Sequence, residues 1–221
     1  MSKGLIAYSV VPMVLIAGLF ISANSTTEID VCQYILDEDH QEFVSAELAV
    51  NTDDSSESII LDFTSSPNLG KSFVGFKEAL GFKDSRGNYK SINTLGYMGK
   101  YQFGRETLKL IGIYNTNDFL NDPELQEKAF IANTMRNKWV LRRDIKRFVG
   151  KRIDGVLVTE SGILAAAHLA GPGSVKKYLR SYGAIGFTDA YGTTVRNYMK
   201  KFSGYDTSFI KPIKKAHVNR I

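Results

Sequence analysis

Apolar residues spaced three and four apart, with no sustained alternation, decide most of what the larger part of this chain can become. Behind Asn121-Asp122-Pro123-Glu124, the residues Leu125, Ala129, Ala132, Met135 and Trp139 fall on one helical face. Asp122 can cap that helix, Pro123 fits its first turn, and Glu124 sits at the positive end of the dipole. Arg142, Arg143, Lys146 and Arg147 follow where a helix C-terminus favours cations. Phe73, Phe76, Ala79 and Leu80 predict an earlier helix ended by Gly81, and a short one is expected over 106–111. Thr159 should cap a helix through Ile163-Leu164-Ala165-Ala166-Ala167, stopped by Gly171-Pro172-Gly173. Segments 175–182 and 193–202 read as two more helices, each followed by Gly. Segment 85–104, rich in Gly, Asn and Tyr, is expected as a loop or small hairpin. The expectation is a mainly α domain over 71–205, an ordinary single-domain size, followed by a basic, loosely held tail over 206–221.

Charge is divided unevenly along the chain. The 221 residues carry a formal net charge of +5. Residues 24–70 hold 11 acidic residues and no Lys or Arg, whereas residues 71–221 hold 27 Lys and Arg against 12 acids. The acidic, polar stretch 24–70 therefore reads as a flexible leader, and the cationic domain behind it suits an anionic partner. Nucleic acid, a membrane surface and an anionic cell-wall polymer all meet that description.

The start of the chain narrows the choice. Lys3 precedes the uncharged run LIAYSVVPMVLIAGLFIS over 5–22, and Ala23 is a small residue suited to a cleavage point. Segment 1–23 is read as an export signal or a retained membrane anchor. The protein is then exported (periplasmic, membrane-anchored or secreted), which argues against a nucleic-acid partner. Cys32 is the single cysteine, so no intramolecular disulfide forms, and the scattered His40, His168 and His217 make no metal site. No cofactor and no metal are expected.

Three segments carry the chemistry. Lys83-Asp84-Ser85-Arg86-Gly87 sets a carboxylate just past a helix end. Gly96-Tyr97-Met98-Gly99-Lys100-Tyr101-Gln102-Phe103-Gly104 follows, with Gln102 eighteen residues after Asp84. Ala166-Ala167-His168-Leu169-Ala170-Gly171-Pro172-Gly173 comes later. In this order the chain resembles the lysozyme-like superfamily, specifically lytic transglycosylases and phage-type muramidases. There Glu-Ser opens the catalytic segment, Gly-Leu-Met-Gln follows, and Ala-Ala-Tyr-Asn-Ala-Gly-Pro-Gly comes third. The resemblance covers about 71–205. It departs from the pattern at Asp84 for Glu, His168 for Tyr and Leu169 for Asn.

The resemblance implies a peptidoglycan-cleaving enzyme acting between N-acetylmuramic acid and N-acetylglucosamine, with lytic transglycosylase chemistry favoured over hydrolysis. Asp84 would be the single acid and then base, with Ser85, Met98, Tyr101, Gln102, His168 and Tyr198 against the glycan. Glycosidic cleavage needs a protonated carboxyl beside the leaving oxygen, and an apolar, partly closed site favours one. Tyr178, Tyr182, Tyr191 and Tyr198 offer flat faces for sugar rings, the more ordinary role of such residues being core packing. Glu78 reads as a solvated surface acid and Glu160 as a helix-start acid, and His168 suits helix packing as well as a cleft wall.

Asp is one methylene shorter than Glu, and catalytic geometry tolerates about 0.5 Å. The alternative is thus a weakened or inactive lysozyme-like module that binds peptidoglycan or positions envelope machinery. A third reading, membrane or nucleic-acid binding by the basic face, leaves the three ordered motifs unused.

Overall fold

The computed structural model describes residues 69–220. The expected export segment over 1–23 and the leader up to residue 68 lie outside the described residues. Helices α1 (Phe73–Ser85), α2 (Arg105–Leu110), α3 (Thr116–Asn121), α4 (Pro123–Phe148), α5 (Glu160–Arg180) and α6 (Val195–Lys201) carry the domain. A short ribbon pairs β1 (Arg152–Ile153) with β2 (Val156–Leu157), antiparallel, and a 3-10 turn, Val218–Arg220, follows α6. The protein is mainly helical, as the periodicity predicts. Among the described residues, no helix is long and apolar enough to cross a membrane.

The caps follow the local chemistry. Asp122 accepts from the Leu125 amide at 3.0 Å, and Thr159 and Thr194 accept from the amides of Gly162 and Asn197, each at 3.1 Å. Helix α1, however, runs past Gly81 to Ser85 and closes at Arg86 in the left-handed conformation (φ 59°). Gly81 does not end the helix; its bare Cα gives room to the Lys100 stem, whose carbons would lie 2.8–2.9 Å from any Cβ there. The extension puts Asp84 on the last helical turn rather than beyond it.

The expected break at Gly171 is real, but the two stretches run on as one kinked element, α5. Gly171 adopts φ 73°, ψ 156°, and Pro172 has no N–H for the carbonyl of His168, four residues back. Helix α5 packs on both α4 and α6. Phe73, Phe76, Tyr101, Phe130 and Phe202 fill the core between α1, α4 and α6, each no more than 1% exposed. Burying each such ring stabilises the fold by about 1.5–3 kcal/mol.

The segment after residue 205 also departs from expectation. Ile210, Ala216 and Val218 are buried, and the amides of Ile213 and Val218 donate to the carbonyls of Met135 and Ile111. Lys138 Nζ lies 2.8 Å from the Thr207 carbonyl and 2.7 Å from Glu160 Oε1. The basic composition of 206–221 conceals an apolar residue every few positions, and these anchor the segment to the domain.

A buried ion cluster joins α1, α4 and the loop between α1 and α2. Glu127 Oε2 meets Lys77 Nζ at 2.8 Å, and Glu127 Oε1 meets Lys100 Nζ at 3.0 Å. Glu78 takes a second contact from Lys100 at 2.6 Å, so it is not simply solvated. The hydroxyls of Tyr89 and Tyr101 donate to Glu127 as well, each 2.8 Å from a carboxylate oxygen. Burial alone would raise the Glu127 carboxyl, but the charges of Lys77 and Lys100 override it and hold the group at about 2. A drop from 4.5 to about 2 corresponds to about 3 kcal/mol. Because the folded value is depressed, that contribution is complete above the unfolded value and is lost as pH falls towards about 2. Acidification from about pH 5 to pH 2 should therefore remove about 3 kcal/mol that Glu127→Gln never had. Urea unfolding at both pH values checks this, and equal pH slopes in the two proteins would refute it.

Candidate functional site

The loop between α1 and α2 is fixed from three sides. Gly99-Lys100-Tyr101-Gln102 is a tight turn closed by the Met98–Phe103 pair, whose amides and carbonyls exchange hydrogen bonds at 3.0 and 2.8 Å. Gln126 of α4, fully buried, accepts from the Lys100 amide and donates to the carbonyls of Tyr89 and Phe119. Ser85 Oγ reaches the Lys100 carbonyl at 2.8 Å. Gly99 has φ 76°, and a Cβ there would run into the Gln126 amide, so only glycine serves.

This scaffold brings four of the expected residues into one cleft of about 690 Å³: Asp84, Gln102, His168 and Tyr198. Asp84 comes from the end of α1, His168 from the turn of α5 before its kink, and Tyr198 from α6. The Tyr198 hydroxyl donates to Asp84 Oδ1 at 2.6 Å. Burial first, and then the charge of Asp84, push that hydroxyl far above its ordinary range, so it remains a donor. His168 Nε2 lies 2.8 Å from the Tyr101 carbonyl oxygen and 3.2 Å from Asp84 Oδ2. A carbonyl oxygen only accepts, so Nε2 carries the proton and is shared between the two oxygens. The buried Nδ1 has no partner among the described residues. Phe103 meets the imidazole edge to face at 5.3 Å. Gln102, at φ 47°, turns its amide back onto the Gly99 carbonyl at 2.9 Å.

Three expected residues do not present side chains to the cleft. Ser85 uses its hydroxyl inside the scaffold. Met98 is 5% exposed and belongs to the core. Tyr101 is fully buried, stacked on Phe130 with centroids 4.3 Å apart, and its hydroxyl serves Glu127. It reaches the site only through its backbone carbonyl. A pleated turn sends Tyr101 and Gln102 to opposite sides, and the core is the side that can take the larger apolar ring.

The cleft also uses residues the motifs did not indicate. Ile92 and Leu95 line one side beside Tyr97 of the second motif, and Phe187 and Asp189 the other beside Tyr191. Asp189 holds its own loop, accepting from the amides of Tyr191 and Thr193 at 2.9 and 2.7 Å. The hydroxyls of Thr94 and Tyr191 meet at 2.9 Å and join the two walls. Of the four tyrosines considered as sugar platforms, Tyr191 and Tyr198 line the cleft, while Tyr178 packs in the core and Tyr182 lies against Phe148.

Beyond Gln102, His168 and Phe187 the groove continues into a second chamber of about 420 Å³. Asn133, Arg136 and Asn137 of α4 form its polar side, facing Phe103 and Leu110. In the sequence, Asn133 and Asn137 sit among the apolar-periodic residues Ala129, Ala132 and Met135, so polar groups fall close to the inward face of this helix.

The fold and the site thus define a mainly helical domain with a nearly buried carboxylate in the first chamber of a two-chambered groove. No family model, no curated protein and no solved structure matches the chain.

The Tyr198–Asp84 hydrogen bond generates a coupling. Tyr198→Phe should cost about 1.5–3 kcal/mol, the range for a bond to a charged group. In a double-mutant cycle with Asp84→Ala, denaturant unfolding should show at least about 0.5 kcal/mol of coupling. Strict additivity would mean that the contact contributes nothing.

Proposed function

We propose that the protein is a lysozyme-like, peptidoglycan-cleaving enzyme, with lytic transglycosylase chemistry at the bond between N-acetylmuramic acid and N-acetylglucosamine. The observation that carries this reading is the meeting of Asp84, Gln102 and His168 in one groove. They come from three separate segments of the chain, each singled out by its motif. The groove runs through two connected chambers and is lined by both apolar and polar groups, as a sugar ring requires.

In this reading Asp84, protonated once the glycan fills the cleft and excludes water, gives its proton to the glycosidic oxygen as the bond from the muramic C1 breaks. The resulting carboxylate then takes the proton of the substrate's C6 hydroxyl, whose oxygen closes onto C1 as a 1,6-anhydro ring. One carboxyl group serves both steps and no water is consumed. Tyr198 and His168 hold the two carboxylate oxygens in place and stabilise the charged form that appears midway. The exposed cations of α4 and the ribbon, Arg142, Arg143, Lys146, Arg147, Lys151 and Arg152, form no ion pair with another described residue. They suit an anionic wall, with an attraction that salt weakens. Export or anchoring through 5–22 and recruitment by envelope machinery belong to the same proposal.

A second reading rests on Asp84 itself. It is one methylene shorter than the family acid and engaged at both oxygens, which favours a module that binds peptidoglycan without cleaving it.

Incubating the full-length protein with purified peptidoglycan, followed by mass spectrometry of the soluble products, separates the two. Anhydro-ended fragments are expected from the natural protein and should vanish in Asp84→Ala. Reducing ends instead would make it a hydrolytic muramidase. Binding to sacculi without release, with activity appearing only in Asp84→Glu, would establish the binding module.

A further inference from the structure

The second chamber has a polar wall that bond cleavage leaves unused. Asn133 and Asn137 stand four residues apart on α4, so their side chains emerge on one face, a turn apart. They are 6% and 2% exposed, yet neither amide hydrogen-bonds to another described residue. Each amide offers two N–H donors and an acceptor oxygen. Their amide atoms are not sealed in the core but open onto the chamber, so their hydrogen-bonding capacity is turned to whatever fills it. Gln126 on the same helix shows the ordinary arrangement, with its oxygen and nitrogen both engaged by backbone groups. Arg136, on the same chamber wall, has no carboxylate within reach among the described residues.

We propose that this chamber binds the peptide substituent of a glycan, Arg136 taking a carboxylate and the Asn133 and Asn137 amides taking an adjacent peptide group. The inference rests on the glycan reading above and adds to it the part of the substrate that sets specificity. A guanidinium presents paired N–H groups that fit a carboxylate in two parallel bonds. A peptide group both donates and accepts, as the two amides require, whereas a neutral sugar hydroxyl would leave the guanidinium unmatched. Phe103 and Leu110 supply an apolar surface for a small side chain such as a methyl group. The chamber shares Gln102, His168 and Phe187 with the Asp84 cleft, so a substituent on a ring bound beside Asp84 enters it directly.

The test compares two probes by NMR titration of the full-length protein: a GlcNAc–MurNAc disaccharide bearing an acidic dipeptide, and neutral diacetylchitobiose. The peptide-bearing probe should bind about tenfold more tightly or better. Arg136→Gln, and separately Asn133→Asp, which sets a like charge against the carboxylate, should reduce that preference to about twofold or less. Chitobiose affinity should stay unchanged in both variants. Equal affinity for the two probes in the natural protein, or parallel loss of both in the variants, overturns this inference and leaves the cleavage reading standing. Failure of both probes to bind overturns the two together.

Discussion

Glu127 is the point on which the arrangement of this domain depends. A carboxylate inside a protein is costly unless charge and hydrogen bonds surround it. Here Lys77 of α1, Lys100 of the loop, and the hydroxyls of Tyr89 and Tyr101 all converge on it from outside its own helix. None of these groups can leave without stranding another in a medium of low dielectric constant. The cluster therefore fixes α4, α1 and the loop in one relative position. Burial would lower the Lys100 ammonium, but Glu78 and Glu127 together raise it, so the ion pair stays charged.

The position of Asp84 follows from that constraint. Lys100 crosses α1 at Gly81, and Ser85 then bonds to the Lys100 carbonyl, which ties the last turn of α1 to the loop. Tyr101, pulled inward by Glu127 and by stacking on Phe130, turns its carbonyl to His168. The kink at Gly171-Pro172 lies one turn beyond His168, where the helix must bend away to leave the groove open. The surroundings of the carboxylate are thus assembled by backbone groups as much as by side chains.

The two chambers differ in chemistry. Around Asp84 the polar groups bond to one another, as in Tyr198 to Asp84 and His168 to the Tyr101 carbonyl. In the Asn133 and Asn137 chamber they do not, and their hydrogen-bonding capacity is left for something outside the described residues. Among the described residues, the Asp84 end leaves only the His168 Nδ1 atom without a partner, whereas the Asn133 and Asn137 side chains have none.

Features under local chemical control can be read directly along the chain. Asp122, Thr159 and Thr194 cap helices because each is a short polar side chain before an apolar-periodic run. Asp84, Gln102 and His168 were singled out by the resemblance of their three segments to a family pattern, and the fold brings them to one cleft. The remaining features come from contacts between residues distant in the chain, which only packing creates. Gly81 looks like a terminator and is instead a crossing point for Lys100, nineteen residues away. Tyr101 and Gln102 are adjacent and equally plausible as ligands for a sugar, yet the turn sends one into the core and the other to the cleft. Glu127 has no recognisable partner within a helical turn, because its partners are Lys77 and Lys100. Periodicity reports which face of a helix is buried, but only packing reveals what that face meets and which polar groups on it are left without a partner.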